Sequence, residues 1–427
     1  MTLLMTWICA GWIVTILIGV PLLTSMLIAS FAFVVLGGLP PEIIPQKVAR
    51  SVDSFPIVAA PLFILMGNIM NSAGITDRIF VFAKAVVGWL RGGLCHANII
   101  ASVIFAGMAG SAVAEAGALG TIEIKAMKDD GYDPELAASV SAASATIGPI
   151  IPPSLPMVIY GVTADVSIGR LFLAGLLPGL LMAAALMAMV VYIARKLDLP
   201  RTPFPTMPQV WVAFRDSFWA LMTPVVLLAG MFSGYFTPTE AAAVATCYAL
   251  FLGMFVYRGF DLRSLPDLLR QTAETTGVVM GLVMAAGAFG WCMSLSGIPQ
   301  KLGPLLVEVL GNPILFLLAV NISLLAIGCF IEALAAMLIL VPILAPAAAA
   351  LGIDPVQFGV VFVLNLMIGT ITPPVGVVLF ITARIANVSF EAMSRAILPW
   401  LVPLILVLLL VTFWPPLTLT LPGLLMP

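Results

Sequence analysis

One motif occurs twice in this chain of 427 residues, as GYDPELAASVSAASATIGPIIPPS at residues 131–154 and as GIDPVQFGVVFVLNLMIGTITPPV at residues 352–375. The copies lie 221 positions apart and agree without a gap at nine of their 24 positions. Both begin with Gly-x-Asp-Pro and end with Gly-x-Ile-x-Pro-Pro followed by one more residue. This repetition predicts that the chain consists of two related halves.

Each copy has the features of a capped helix that later breaks. Asp133 and Asp354 stand at cap positions, each followed by a proline suited to the first helical position. The paired prolines at 152–153 and 373–374 predict an opened helix with free carbonyl groups. Free backbone groups are costly in a membrane unless a partner, water or an ion satisfies them. The paired breaks therefore predict an ion or substrate site; the simpler alternative is a kink that neighbouring helices tolerate.

Composition indicates the class of protein. Hydrophobic residues make up 62% of the chain and charged residues 9%, and the mean hydropathy is +1.17. These values predict an all-α polytopic membrane protein. The five cysteines have no metal-type spacing and His96 is the only histidine. Zinc sites that depend on histidine, and Ser-His or Cys-His nucleophiles, are thereby excluded.

Ten apolar segments are long enough to cross a bilayer, which takes about 20 residues. They lie near residues 1–18, 20–38, 56–74, 135–160, 171–194, 218–236, 238–257, 273–296, 356–380 and 397–414. The first is expected to be a membrane helix rather than a signal peptide, because no basic region precedes it. Two further apolar stretches, 96–124 and 312–350, contain polar residues and glycine and are predicted to form re-entrant helical hairpins.

The distribution of basic residues predicts the topology. With this arrangement fourteen lysines and arginines, including Arg201, lie on one side of the membrane, and Lys47, Arg50, Arg170 and Lys301 lie on the other. The first side is therefore predicted to be cytoplasmic, with both termini periplasmic. Residues 1–194 and 218–427 then form two repeats of inverted topology, each with a hairpin and a discontinuous helix (135–160 and 356–380), joined by a cytoplasmic linker at 195–217.

Two mixed stretches are too polar to cross the membrane. They lie at 40–54 and 260–276, and we expect helices along the interface on opposite faces. A polar loop is the alternative for each.

The predicted hairpins each contain one glutamate. The first includes FAGMAGSAVAEAGALG at 105–120 and the second AIGCFIEALAAML at 326–338. Aligning Ser111 with Gly328 places Glu115 and Glu332 four residues beyond each presumed turn. A carboxylate within a membrane usually marks function, although each glutamate could instead only cap the second helix of its hairpin.

At this point the sequence resembles a known family. The stretches GSAVAEAGALGTIEIKAM (110–127), SAASATIGPIIPPSLPMVIYG (141–161) and MIGTITPPVGVVLF (367–380) are similar to the large membrane subunit of tripartite ATP-independent periplasmic (TRAP) transporters, of the DctM/SiaM type. The resemblance covers essentially the whole chain. It implies an elevator-type, sodium-driven importer of organic acids in the bacterial inner membrane, and no enzyme.

The resemblance also implies partners and sodium ligands. The partners are a four-helix membrane subunit (DctQ/SiaQ-type), expected as a separate chain because no such extension is present, and a periplasmic substrate-binding protein (DctP/SiaP-type). Membrane lipids surround the chain and no nucleic acid is expected. The first implied sodium site comprises Ser111, Gly148, Ile151 and Pro153. The second comprises Gly328, Gly369, Thr372 and Val375, supported by Glu332. The first hairpin has alanines at 106 and 109, in a region where the family is often serine-rich. Ser111 is therefore the main candidate for a side-chain hydroxyl ligand of sodium at this tip.

The carboxylate of the substrate is expected between the hairpin tips, where helix N-termini present free N–H groups. Candidate polar groups nearby are Glu115, Ser141, Ser144, Thr146, Ser154 and Asn365. The same serines, threonine and asparagine could instead only help helices pack. No arginine occurs in either motif, so the sequence does not identify the organic acid, which could be a C4-dicarboxylate, a sialic acid or a similar carboxylate.

Three other functions remain open from the sequence. A sodium/dicarboxylate symporter with two hairpins but no binding protein would transport with this chain alone. A channel would conduct through a continuous polar pore. An intramembrane enzyme would need a nucleophile with a base, or a metal cluster, which the buried serines and glutamates do not form by spacing.

Overall fold

The computed structural model describes residues 1–197, 199 and 203–426, and within these residues every regular element is helical. Arg201 and part of the predicted linker lie outside the described residues. The first half contains α1 Thr2–Leu17, α2 Leu22–Leu36, α3 Ile43–Arg50, α4 Ala59–Ser72, α5 Ile75–Val87, α6 Gly93–Ala109, α7 Ala112–Asp129, α8 Pro134–Ser144, α9 Leu155–Ala164 and α10 Ile168–Leu197. The second half contains α11 Met207–Phe232, α12 Pro238–Phe251, α13 Leu265–Ser296, α14 Ile298–Leu310, α15 Pro313–Phe330, α16 Ala333–Ala350, α17 Pro355–Gly369, α18 Val377–Ala386, α19 Phe390–Phe413 and α20 Pro416–Leu425.

Both predicted helix breaks are present. Helix α8 ends at Ser144 and α9 begins at Leu155, and the intervening Ala145–Ser154 is not helical. Helix α17 ends at Gly369 and α18 begins at Val377. The Pro152–Pro153 and Pro373–Pro374 peptide bonds are both cis. Asp133 and Asp354 cap α8 and α17 through their side chains, as the sequence predicted.

The two broken helices run antiparallel to each other. The Tyr160 hydroxyl, near the end of α9, donates to the Pro355 carbonyl at the start of α17 (3.1 Å). At the opposite end, the Lys128 ammonium, near the end of α7, donates to the Ala386 carbonyl at the end of α18 (3.0 Å). Helix α8 packs against α18, and α9 packs against α17. The second copy of the motif therefore points the opposite way from the first.

The helix contacts in this fold form two groups. Near the broken helices, α7 packs on α8 and α18, α15 and α16 pack on α17, and α19 packs on α8 and α17. A separate set pairs α4 with α12, α2 with α13 and α5 with α11. Helices α8 and α17 are almost completely buried within the protein. Opened backbone is tolerated at membrane depth only in such surroundings.

The helix pairs predicted as hairpins are continuous helix-turn-helix units. Helices α6 and α7 meet at Gly110–Ser111, and α15 and α16 meet at Ile331–Glu332. The 221-residue shift that relates the breaks also relates these pairs, because it carries Ala112–Asp129 onto Ala333–Ala350. The shift therefore pairs Ser111 with Glu332. The alignment of Ser111 with Gly328 was wrong: Glu332 caps α16 at the turn itself, whereas Glu115 lies in the first turn of α7.

Eight helical stretches among the described residues are long and apolar enough to cross a membrane. Six correspond to predicted crossings, and the other two are α15 and α16 of the second predicted hairpin. Predicted crossings 1–18 and 20–38 are the shorter apolar helices α1 and α2, and 135–160 and 356–380 are the broken helices, which extend to 134–164 and 355–386.

One sequence expectation about a helix end was wrong. The stretch 260–276 is not a separate helix, because α13 continues from Leu265 to Ser296 without a break. Within the predicted linker 195–217, α10 continues to Leu197 and α11 begins at Met207. Helices α5, α14 and α20 were not predicted at all. Helix α3 does form within 40–54, at Ile43–Arg50.

Candidate functional site

A narrow cleft lies where the two helix-turn-helix tips meet the two breaks. Its lining residues come from the two tips, the starts of α7, α9 and α16, the end of α17 and both breaks: Gly110, Ser111, Ala112, Val113, Pro149, Leu155, Pro156, Glu332, Ala333, Leu334, Met367 and Thr370. Its volume is about 30 Å³, enough for a water molecule or a bare cation. Ligand pockets for small molecules span roughly 300–1,000 Å³. An organic acid would therefore enter only after the tips separate.

Three helix N-termini converge on this cleft. The side chains of Ser111, Ser154 and Glu332 cap α7, α9 and α16 respectively. The Ser111 hydroxyl accepts from the Ala114 N–H (3.4 Å) and the Glu332 carboxylate from the Ala335 N–H (3.1 Å). The first N–H groups of a helix have no partner within it and carry partial positive charge. The cleft thus offers backbone donors to an anion, with no lysine or arginine among the described residues that line it.

The first tip lies directly on the first break. Gly110 has a φ of +56°, and a Cβ atom there would come within 2.7 Å of the Pro153 carbonyl oxygen and 3.0 Å of the Leu155 nitrogen. This contact brings Ser111 and Pro153, two predicted sodium ligands, to one place. Within the described residues, no hydrogen bond reaches the carbonyl oxygens of Gly148, Ile151 or Pro153. Free carbonyl oxygens are suitable ligands for a small monovalent cation.

The second break is held by backbone contacts to α15. A Cβ atom on Gly369 would come within 2.7 Å of the Gly328 Cα, so these two glycines touch. The Gly376 N–H also donates to the Cys329 carbonyl (3.1 Å). The predicted ligands Gly328 and Gly369 are thereby adjacent.

Two further predicted ligands, Thr372 and Val375, lie on the second break itself. The Thr372 hydroxyl donates to the Ile368 carbonyl (2.7 Å), which leaves its oxygen lone pairs available. The carbonyl oxygens of Thr372 and Val375 accept no hydrogen bond within the described residues. The second break therefore has free oxygen atoms of the same kind as the first.

A buried carboxylate stands beside the first break. Glu115 is 1% exposed, and neither of its carboxylate oxygens has a hydrogen-bond partner among the described residues. A Cβ atom on Gly148 would overlap the Glu115 carboxylate, so a larger residue there would require the Glu115 side chain to move. The Ser102 hydroxyl, also 1% exposed, lies beside this carboxyl group, and one oxygen of Glu123, likewise 1% exposed, has no partner among the described residues. The first half therefore buries two neighbouring carboxyl groups, those of Glu115 and Glu123.

The remaining predicted polar residues have structural partners and do not line the cleft. Ser144 and Ser141 both bond to Asn98 of α6 (2.6 Å each), and Thr146 donates to the Ala143 carbonyl (2.6 Å). Ser154 donates to the Pro149 carbonyl and caps α9.

Asn365 has a comparable role in the second half. Its amide nitrogen donates to the Asn321 side-chain oxygen of α15 (2.8 Å). The two halves therefore fasten the first helix of each pair to the broken helix with an asparagine, Asn98 in one and Asn321 in the other.

We expect replacement of Asn98 by alanine to lower the free energy of unfolding by about 2–3 kcal/mol, because it leaves two buried hydroxyl groups without their partner. Asn68→Ala is the matched control, since Asn68 makes one part-buried bond to Thr272 (2.9 Å). Chemical or thermal unfolding in detergent measures both. Equal losses of unfolding free energy in the two variants would show that the two hydrogen bonds of Asn98 do not stabilise the protein more than the single bond of Asn68.

Sequence reasoning did not identify most of the cleft. Gly110, Pro149 and Thr370 line it, and Asn98 and Asn321 position the tips. The sequence did contain one signal for the tips. The 221-residue shift between the two motifs, applied to the predicted hairpins, pairs Ser111 with Glu332.

Comparison with known proteins identifies the family. The family model described as "Tripartite ATP-independent periplasmic transporter, DctM component" matches residues 9–417. The chain belongs to this DctM family. The resemblance inferred from the two break motifs is thereby confirmed, and the chain is a multi-pass membrane protein.

Relatives of this DctM chain are permeases. The sialic acid TRAP transporter large permease protein SiaM of Vibrio cholerae is 46% identical over 415 residues, which are 97% of each chain. The sialic acid TRAP transporter permease protein SiaT of Haemophilus influenzae is 43% identical over 97% of this chain and 68% of its own length. The C4-dicarboxylate TRAP transporter large permease protein DctM of Pseudomonas aeruginosa is 39% identical over 88% of each chain.

Solved structures support the fold of this DctM chain. The Alcanivorax borkumensis YdaH transporter matches with a TM-score of 0.67 at 15% identity, over 88% of this chain and 90% of that one. Neisseria gonorrhoeae MtrF matches with a TM-score of 0.64 at 13% identity, over 87% and 83%. At these identities the similarity concerns the fold alone.

Proposed function

We propose that this chain is the large transmembrane subunit of a TRAP transporter that imports an organic acid by sodium symport across the bacterial inner membrane. The observation that carries the proposal is the convergence of both tips and both breaks on one cleft. A sialic acid is the substrate favoured by the 46% identity to SiaM, and a C4-dicarboxylate is the alternative.

The cleft suits the carboxylate group of such a substrate. Backbone N–H groups at the starts of α7 and α16 would bind its oxygens, in the manner of anion sites at helix N-termini. Glu332 places a negative charge at the same cleft, so a cation nearby would reduce the repulsion between it and the substrate. This arrangement would make binding of the acid depend on sodium.

Two sodium sites would supply that charge. The first would use Ser111, Gly148, Ile151 and Pro153 beside Glu115, and the second Gly328, Gly369, Thr372 and Val375. Support comes from carbonyl oxygens that accept no hydrogen bond within the described residues, at 148, 151 and 153 in the first break and at 372 and 375 in the second. The Gly369 carbonyl differs, because it accepts from the Thr372 N–H (3.0 Å). Sodium would also hold the opened backbone in the shape that the tips require.

Transport would proceed by an elevator movement. The tips and broken helices, with their re-entrant hairpins α6–α7 and α15–α16, would slide against a scaffold that includes the pairs α4–α12, α2–α13 and α5–α11. A cavity of about 610 Å³ supports this division, since it lies between the α9–α10 turn of the first set and the α11–α12 turn of the second. The antiparallel broken helices agree with inverted repeats, which give two related end states.

Two partners are proposed with this function. A four-helix DctQ/SiaQ-type subunit would accompany the chain in the membrane, and a DctP/SiaP-type protein would deliver the substrate. The periplasmic position of both termini follows from the basic residues and belongs to the same proposal.

The test is uptake into proteoliposomes that contain this chain and its small subunit, with the binding protein outside. We expect Thr372→Val to raise the sodium concentration for half-maximal uptake about fivefold, because a hydrogen bond or ligand from one hydroxyl is worth about 1 kcal/mol. Thr163→Val is the matched control, since Thr163 makes the same 2.7 Å bond to the carbonyl four residues earlier. Radiolabelled sialic acid and succinate serve as substrates.

The outcomes discriminate between functions. Equal sodium dependence in both variants would refute the second sodium site. Uptake that needs no binding protein would instead indicate a two-hairpin symporter, and conductance without coupling would indicate a channel.

A further inference from the structure

A second cavity lies at the end of α10, beside the start of α6, whereas the cleft lies beyond the opposite end of α6. Its volume is about 560 Å³. Its lining residues come from the α5–α6 turn, the start of α6 and the last turns of α10: Trp89, Leu90, Arg91, His96, Met187, Ala188, Val191 and Arg195. Among the described residues of this lining there is no carboxylate.

The α10 wall changes from apolar to cationic along one face. Residues 187 and 188 lie four and three positions before 191, and 195 lies four positions after it, which places them on one side of the helix. Met187, Ala188 and Val191 form the apolar part, and Arg195 follows in the last turn of this 30-residue helix. An apolar wall that ends in a guanidinium at the membrane boundary matches the shape of a lipid, whose acyl chain lies below its phosphate.

The α5–α6 turn brings a second arginine to the same cavity. Gly92 caps α6 with a φ of +66°, and a Cβ atom there would meet Leu199, Val190 and Ala194 at 3.1–3.4 Å. The turn therefore lies against α10, so that Arg91 and Arg195 share one cavity. The N-terminus of α6 adds partial positive charge beside them.

His96 adds a buried group without a partner. It is 2% exposed, lines the cavity, and its Nδ1 atom makes no hydrogen bond among the described residues. An unsatisfied ring nitrogen in the interior is unfavourable, and in the tautomer with a proton on Nδ1 it would donate a hydrogen bond to a phosphate oxygen in the cavity. Trp89, 40% exposed and 5.1 Å from the ring of Phe204, stands at the rim as interfacial tryptophans do.

We propose that this cavity binds the phosphate headgroup of an anionic phospholipid. Arg91, Arg195 and His96 contact the phosphate, and one acyl chain lies against Met187, Ala188 and Val191. The bound lipid joins the base of α6 to the end of α10. This site requires neither sodium coupling nor the elevator movement.

The test measures lipid binding by native mass spectrometry on the purified chain in detergent, with phosphatidylglycerol as the probe. We expect Arg195→Gln to weaken binding about tenfold and Lys196→Gln to change it less than twofold. Lys196 is the matched control because it has the same charge in the next position, and its ammonium lies over Tyr192 (4.9 Å) outside the cavity. Equal effects of the two substitutions would overturn the proposal.

A second variant separates the lipid from other ligands and from misfolding. Ala188→Trp keeps every cationic group and fills the apolar wall, and we expect it to weaken phosphatidylglycerol binding about tenfold while the chain elutes as a single species. Millimolar inorganic phosphate is expected not to displace the lipid. Displacement by phosphate, normal binding to Ala188→Trp, or equal binding of phosphatidylcholine would each overturn the assignment.

Discussion

We expect Gly369→Ala to raise the sodium concentration that half-maximally stabilises the protein about ten- to a hundredfold. A Cβ atom at this position would come within 2.7 Å of the Gly328 Cα and 2.9 Å of its carbonyl carbon. Neither backbone can yield without moving the second tip away from its break, and such overpacking costs about 1–3 kcal/mol. Each 1.4 kcal/mol corresponds to about a factor of ten in an equilibrium constant.

The measurement is the thermal midpoint in detergent as a function of sodium, since a ligand that binds the folded state raises that midpoint. Gly277→Ala is the matched control, because Gly277 also lies within a helix and a Cβ atom there has nothing within 4 Å. Glycine-to-alanine substitution inside a helix normally stabilises by roughly 0.5–1 kcal/mol. Unchanged sodium dependence in Gly369→Ala would show that the contact between α15 and α17 does not form a sodium site.

The second large effect is expected at the first tip. Gly110→Ala combines a left-handed backbone, at φ +56°, with a Cβ atom 2.7 Å from the Pro153 oxygen and 3.0 Å from the Leu155 nitrogen. The left-handed conformation costs alanine about 1–2 kcal/mol, and the collision adds about 1–3 kcal/mol. We expect uptake in proteoliposomes to fall at least about tenfold.

Gly131→Ala separates the two costs. Gly131 has a φ of +84°, but a Cβ atom there meets nothing within 4 Å. Alanine at this position therefore has the unfavourable left-handed backbone but no collision. We expect this control to retain near-normal uptake with slightly lower stability. If both variants lose uptake equally, the contact between tip and break is not what transport requires.

The sequence predicted the breaks because proline has one dominant physical effect. Paired prolines after an apolar helix cannot continue it, whatever surrounds them, and the Asp-Pro caps of α8 and α17 depend only on local hydrogen bonds. The repeat made both predictions stronger, since the same signals occur 221 residues apart. Both tips were also located to within a few residues.

Helix ends were harder to predict from the sequence where the polarity changes but the helix continues. Asp267, Arg270 and Glu274 made 260–276 look like a separate interfacial helix, yet no proline interrupts α13 after its first turn. A helix can leave the membrane and continue in water, so polarity alone does not mark its end. The start of α11 had a readable signal, because Thr206 and Gln209 form a capping box.

The cleft itself depends on contacts between distant parts of the chain. Pro149 and Thr370 line it only because the broken helices run antiparallel and the tips meet between them. Ser144 and Asn365 are also polar and occupy equivalent positions in the repeat. Their hydrogen bonds to Asn98 and Asn321 join neighbouring helices, so these two residues have a structural role. Residue type and spacing cannot separate these two roles.

The central claim is that each break, closed by its own helix tip, holds one sodium ion. Equilibrium binding of radioactive sodium to the purified chain, with potassium replacing sodium in the blank, tests it most directly. We predict two saturable sites in the unaltered chain, one in Gly110→Ala, one in Gly369→Ala and none in the double variant. Absence of saturable sodium binding, or two sites in the double variant, would contradict the account.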